Sequence, residues 1–158
     1  QQRSSAASDV YKRQVSNKIN KDILKYENFT LYDSDWKTNK LTDEELKSIF
    51  NECKLSIIPI KTSSLQPSGQ SVALQSFAME VPVMMSNFKG VWDKDLLLHM
   101  ENIFFVEEAS VECWINNINL LLDQKELQEK LIHNARKLID ENLNLSNFYK
   151  RLDKVINS

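Results

Sequence analysis

No stretch of this 158-residue chain approaches the roughly 18 consecutive apolar residues that a membrane-spanning helix needs, which excludes an integral helical membrane protein. Positive charge is not in excess either. Twenty Lys and Arg stand against 22 Asp and Glu, a formal charge of −2, so an electrostatic grip on nucleic acid is not expected. Cysteine is scarce, and Cys53 and Cys113 alone cannot build a disulfide framework or a zinc cage. Reduced thiols in a cytosol are the simpler reading. Glycine occurs only at Gly69 and Gly90, and the chain has no internal repeat, low-complexity tract or linker. What is present is the balance of a soluble globular protein, 42% hydrophobic and 27% charged, with length enough for one domain and a real core.

The first fourteen residues differ from the rest. Two of the four arginines, Arg3 and Arg13, sit in this head, whereas the body is rich in Lys, Asn, Ile and Leu. Ser4 to Gln14, ending in Asp9-Val10-Tyr11-Lys12-Arg13-Gln14, resembles a translated sequencing adapter. A targeting peptide would need an apolar segment followed by a small-residue cleavage site, and neither is there. Residues 1–14 are therefore expected to be a disordered, non-native head, with the natural chain beginning in mid-protein near Val15. Without Arg3, Lys12, Arg13 and Asp9 the charge is −4.

Along the body, Asn28 to Tyr32 alternates like a strand, and Asp33 to Lys40 is a polar loop. Thr42 and Glu45 have capping-box spacing, which predicts a helix carrying Leu46, Ile49, Phe50 and Cys53 on one stripe. Leu55 to Ile60 is an apolar, β-branched run of the kind found in strands covered on both faces. A loop, Lys61 to Gly69, leads to a helix over Gln70 to Glu80 and a strand over Val81 to Met85. A short helix is expected at Asp95 to Met100 and a fourth strand at Ile103 to Val106. The remainder reads as helices: one capped by Ser110 with Val111, Trp114, Ile115, Ile118, Leu121 and Leu122 on one face, a second over Leu127 to Ile139, and a third capped by Ser146. This alternation predicts an α/β fold, a parallel sheet flanked by helices with a helical C-terminus.

Ligands of such sheets bind beyond the carboxyl ends of the strands. That directs attention to Lys61 to Gln75. Gly69 lets the backbone come close to a ligand, and the N–H groups of Gly69, Gln70 and Ser71 would face outward at the positive end of a helix, a site suited to phosphate. The alternative is that Ser68 or Ser71 merely caps the helix.

Gln66-Pro67-Ser68-Gly69-Gln70-Ser71-Val72-Ala73-Leu74-Gln75-Ser76-Phe77-Ala78-Met79-Glu80-Val81-Pro82-Val83 resembles the signature of the large retaining glycosyltransferase family with the GT-B fold, also called glycosyltransferase family 4 or glycosyl transferases group 1. Gly90-Val91-Trp92-Asp93, Asn102 to Val106 and Asn134-Ala135-Arg136 resemble the segments that follow it in the family. The resemblance implies a Rossmann-like domain, the C-terminal nucleotide-sugar-binding half of a GT-B fold spanning 15–158, with its N-terminal, acceptor-binding half missing. It also implies transfer of a hexose from a nucleotide-sugar donor to a glycan or lipid-linked acceptor, with retention. The backbone at Gly69, Gln70 and Ser71, with Ser68 beside it, would face the donor's diphosphate and sugar; Lys61 reads first as a solvated side chain, and its place at a strand's carboxyl end keeps it a lesser phosphate candidate. Gln75 would meet the ribose hydroxyls, and the loop around Lys40 and Leu41 would pack on the base. No catalytic side chain is assigned, and no cofactor or metal is expected. The partners implied are the donor, the acceptor and the absent half, without nucleic acid and with at most peripheral contact with a membrane. The fragment alone is expected to be inactive, and the location is cytoplasmic, at most peripheral to the inner face of the membrane.

Both carboxylates of the family signature are replaced. Gln75 stands at the second, and Gln66 or Pro67 at the first. An amide both donates and accepts but carries no charge, so it meets hydroxyls more weakly than a carboxylate. This substitution keeps a second reading open: a non-catalytic relative used as a binding or partner subunit. Glu80 occupies the family's helix-ending glycine, where a left-handed residue would carry a strain of roughly 1 kcal/mol. His99 and His133 lack nearby carboxylate or cysteine partners in sequence and read as structural, as do Trp92 and Trp114.

Overall fold

A computed structural model describes residues 10–12, 29–31 and 41–157, the first two ranges as backbone only. The chain divides into two units, Gln1–Lys54 and Leu55–Ser158. In the first, β1 (Val10–Lys12) pairs in parallel with β2 (Phe29–Leu31), Val10 opposite Phe29. β1 lies within the head that the sequence marks off at residues 1–14. β2 belongs to this two-stranded sheet and not to the sheet of the second unit. The loop expected at Asp33 to Lys40 lies outside the described residues.

α1 (Asp43–Glu52) begins as its sequence dictates. The Thr42 hydroxyl accepts from the Glu45 N–H at 3.2 Å, and the Glu45 carboxylate accepts from the Thr42 N–H at 2.8 Å. Phe50 is buried, while Leu46, Ile49 and Cys53 are half-buried. Burial, helped by the charge of Glu52, pushes the Cys53 thiol pKa up.

The second unit holds a parallel sheet of three strands in the order β3 (Ser56–Ile58), β4 (Val83–Ser86), β5 (Phe104–Val106). Ser56 lies opposite Val83, and Met84 opposite Phe104. β4 is central and every residue in it is buried. β3, expected from its composition to be covered on both faces, has only Ile58 buried, and among the described residues it pairs with β4 alone.

Strand alternation sorts the core into two faces. Val83 and Met85 pack with Ala73 and Phe77 of α2 (Gln70–Ala78) and with Ala135 and Leu138 of α4 (Lys125–Glu141). Met84, Phe104 and Val106 pack with Leu121 of α3 (Val111–Asp123) and Leu131 of α4. Phe77 is 1% exposed, and its burial contributes roughly 2 kcal/mol. α4 therefore closes both clusters. The three residues Asn134, Ala135 and Arg136 are structural: Asn134 donates to the Glu101 carbonyl, Ala135 fills the α2–α4 contact, and Arg136 donates to the Ala78 carbonyl.

Three local expectations fail for identifiable reasons. Asp95 to Met100 forms a turn and a bridge instead of a helix. Asn102 accepts from the Leu98 N–H and donates to the Leu96 carbonyl, and His99 pairs with Ile103. The last helix, α5 (Leu145–Ile156), is capped by Asn144, whose side chain accepts from the Asn147 N–H at 2.9 Å, so Ser146 lies inside it. On α3 only Leu121 is buried, whereas Val111 and Ile115 are 74% and 51% exposed.

Candidate functional site

Ile60 ends the β3 segment with its N–H donated to the buried Ser86 hydroxyl at 2.9 Å. The chain then turns, with the Ser64 N–H donating to the Lys61 carbonyl, and runs along the segment that follows β4. There the Lys89 N–H donates to the Thr62 carbonyl at 3.3 Å, and the Gly90 N–H to the Ser64 carbonyl at 2.9 Å. A Cβ on Gly90 would sit 2.6 Å from both the Gln66 oxygen and the Leu65 carbonyl carbon, so only glycine admits this approach. At the other end of the loop the Ser68 N–H donates to the Gln66 carbonyl at 2.7 Å, and the chain enters α2 through Gly69. Gly69 has φ +78°, and a Cβ there would lie 2.6 Å from Ile58 Cγ2 and 3.0 Å from Ile60 Cδ1. Both glycines of the chain thus hold one loop.

The loop delivers the N-terminus of α2 at the carboxyl end of the sheet. Among the described residues, nothing accepts from the N–H groups of Gly69, Gln70 or Ser71. Neither Ser68 nor Ser71 caps the helix, which removes the alternative weighed from sequence. Ser68, Gly69 and Gln70 are half-buried and Ser71 is exposed, so solvent reaches the turn. Other described helices complete their first turns differently. α1 and α3 have a side-chain cap and acids, α4 has Glu126, and α5 has the Asn144 cap; α2 has neither cap nor acid. Its partial positive charge meets no cap or acid among the described residues.

The remaining predicted positions fall as follows. Gln75 is exposed one turn beyond Ser71 on the same side of α2. Lys61 is exposed just beyond β3, and Gln66 and Pro67 are exposed in the loop. Leu41 is half-buried next to Thr42 in the first unit, and Lys40 lies outside the described residues. Ser86 escaped sequence reasoning, and Gly90 entered it only as part of a segment resembling the family, without its contact with this loop. The scarcity of glycine was the available signal for Gly90. Also unforeseen is a polar pair at the carboxyl ends of β4 and β5, where the Asn87 amide donates to both Glu107 oxygens at 2.9 and 3.0 Å.

Other singled-out residues are structural. His99 Nδ1 accepts from the Phe105 N–H at 3.0 Å, and its ring meets Phe104 edge-on at 5.0 Å. Trp92 is 9% exposed within the core, its indole N–H without a partner among the described residues. Two cavities, of about 250 and 230 Å³, lie elsewhere, the first lined by Glu80, Glu129, Ile132, His133 and Arg136 and the second along α4 around Asn134.

No family model matches the chain. It is similar to the capsular polysaccharide biosynthesis glycosyltransferase CapM of Staphylococcus aureus, 23% identical over 111 residues, which cover 70% of this chain and 28% of that protein. Among solved structures, the C-terminal domain of the glycosyl transferase group 1 family protein LpcC from Francisella tularensis matches with a TM-score of 0.57 and 16% identity, over 75% of this chain and 55% of that one. The chain thus spans about a quarter of the curated relative it matches and about half of the solved domain. The fold, a parallel sheet flanked by helices with a helical C-terminus, is that of the group 1 domain.

Proposed function

We propose that this chain is the donor-binding portion of a retaining GT-B glycosyltransferase, which transfers a hexose from a nucleotide-sugar donor to a glycan or lipid-linked acceptor. One observation carries the reading: α2 reaches the carboxyl edge of the sheet with its first amides unspent and with neither cap nor acid in its first turn. Similarity to a capsular polysaccharide glycosyltransferase supports it.

In this reading the N–H groups of Gly69, Gln70 and Ser71 hold the donor's diphosphate, with Ser68 and Lys61 at its side and Gln75 on the ribose. Breaking the glycosidic bond puts negative charge on the leaving diphosphate and positive charge on the sugar. Fixed N–H donors that strengthen as that charge develops lower the barrier, and single donors of this kind contribute roughly 3 kcal/mol elsewhere. The donor is a substrate, and the reading calls on no metal. The rest of the cleft and the acceptor site belong to a further domain of a longer, cytoplasmic protein, so this chain alone is expected to bind nucleotide weakly and to turn nothing over.

Calorimetry of the full-length natural protein against a panel of nucleotide sugars, with an assay for released nucleoside diphosphate, tests the proposal. Binding and turnover of one donor are expected; no affinity for any of them rejects the enzyme. The replacement of both signature carboxylates by uncharged residues, Gln75 among them, favours one second reading, a binding subunit that holds a nucleotide sugar without turnover.

A further inference from the structure

The ladder between β3 and β4 ends in a rung unlike the others. It begins with the Ser56 N–H, which donates to the Pro82 carbonyl at 2.9 Å, and the paired residues run from Ser56 with Val83 to Ile58 with Met85. Parallel pairing advances two residues at a time on each strand, which aims the Ile60 N–H at the Ser86 carbonyl. Ile60 donates instead to the hydroxyl of that same residue, at 2.9 Å. The other side of β4 stays joined by main chain: the Asn87 N–H donates to the Val106 carbonyl at 2.8 Å, and the Asn87 side chain holds Glu107. The sheet therefore parts between β3 and β4 while β4 and β5 remain closed. Gly69 sits on the parted side. The three atoms nearest a Cβ there belong to Ile58, Ile60 and Met85, at 2.6, 3.0 and 3.8 Å, residues that border the exchanged rung.

We propose that Ser86 is a positioning residue for the donor site. Its hydroxyl, in place of a ladder carbonyl, holds Ile60 where that side chain backs Gly69, and so fixes where the amides of Gly69, Gln70 and Ser71 point. This role rests on the reading of that turn as the diphosphate site. Ser86 is 3% exposed, so it acts through Ile60 and Gly69 and does not touch the donor. A main-chain rung would draw Ile60 into the ladder and shift its side chain against the turn. No rung at all would leave a part-buried N–H without an acceptor. A hydroxyl at this one position avoids both.

Nuclear magnetic resonance of the labelled intact chain, free and titrated with inorganic pyrophosphate, tests it. Without ligand, Ser86→Ala should move the amide resonances of Ile60, Gly69 and Gln70 and leave that of Val106 in place. Its pyrophosphate affinity should fall roughly tenfold, about the effect of one weakened hydrogen bond to an anion. Ser86→Thr, which keeps the hydroxyl, should retain most of the affinity. Asn102→Ala serves as the control, because it removes a buried amide that ties Leu96 and Leu98 on the β5 side. It should lower the melting temperature and leave the affinity unchanged. An unmoved Gly69 amide in Ser86→Ala, or an unaltered affinity, overturns the role of Ser86 alone. So does an equal loss of affinity in Ser86→Thr or in Asn102→Ala, which would mark a general loss of stability. An unsubstituted chain that ignores pyrophosphate rejects the donor reading itself, and the role of Ser86 with it.

Discussion

The two ends of α2 share a left-handed residue but treat their spare hydrogen-bonding groups in opposite ways. At the C-terminus Glu80 has φ +57°. Its N–H donates to the Phe77 carbonyl and that of Val81 to the Ser76 carbonyl, the paired bonds of a Schellman ending. Arg136 reaches across from α4 to donate to the Ala78 carbonyl at 2.9 Å. The hydrogen bond and charge of Asp140 fix this guanidinium and raise its pKa further. At the N-terminus Gly69 has φ +78°, no side chain caps the helix, and the first amides have no partner among the described residues. One end is closed by a residue poorly suited to its conformation, the other held open by the residue best suited to it. Folding alone would favour closing both, and the open end is where the proposed function puts the donor's diphosphate.

Substitutions that separate the two ends sharpen this contrast. The largest effect is expected from Gly69→Ala. It combines a left-handed alanine with a Cβ 2.6 Å from Ile58 Cγ2, and should lower stability by about 2–3 kcal/mol in urea melts while removing any nucleotide response. Unchanged stability would mean that the open turn does not depend on glycine. Gly90→Ala comes next. Its Cβ meets backbone of the facing loop and should cost about 1–2 kcal/mol and weaken nucleotide binding, although it lies twenty-one residues from Gly69. An unaffected response would detach the loop from the site.

At the closed end the sign reverses. Glu80→Gly should stabilise the chain by roughly 0.5–1 kcal/mol, because relief of the left-handed strain exceeds the added freedom of the unfolded chain. Nucleotide binding should not change; if it falls, the two ends are not independent. The smallest effect on stability belongs to Gln75→Glu, within about 0.5 kcal/mol at an exposed position. In the full-length protein a site tuned to glutamine should lose activity or stay level, whereas a gain of affinity without turnover would favour the binding subunit.

Much of this was legible from residue types and spacings wherever a local interaction decides the structure. Thr42 and Glu45 announce their capping box because both partners lie within one turn, whereas the left-handed Glu80 was legible only through the resemblance, as the position of the family's helix-ending glycine. Long-range choices were not legible. The order of β3, β4 and β5 depends on which strands pair, and the failure of a helix at Asp95 depends on the Asn102 side chain reaching back to Leu96 and Leu98. Asn144 displaced Ser146 as the cap because either side chain can serve, and register within α5 chose between them. The turn at Gly69 was found from sequence, but its buttress was not. Gly90 reveals its purpose only when the backbone of Leu65 and Gln66 lies against it.

The central claim is that main-chain amides ahead of Val72 bind a diphosphate. Titrating the isotopically labelled chain with inorganic pyrophosphate, a probe that needs no knowledge of the base, reads those amides individually by nuclear magnetic resonance. Progressive shifts concentrated on the Gly69, Gln70 and Ser71 amides are predicted, and they should vanish in Gly69→Ala while persisting in Glu80→Gly. Shifts confined to lysine-rich surface elsewhere, with those three amides unmoved, would contradict the account.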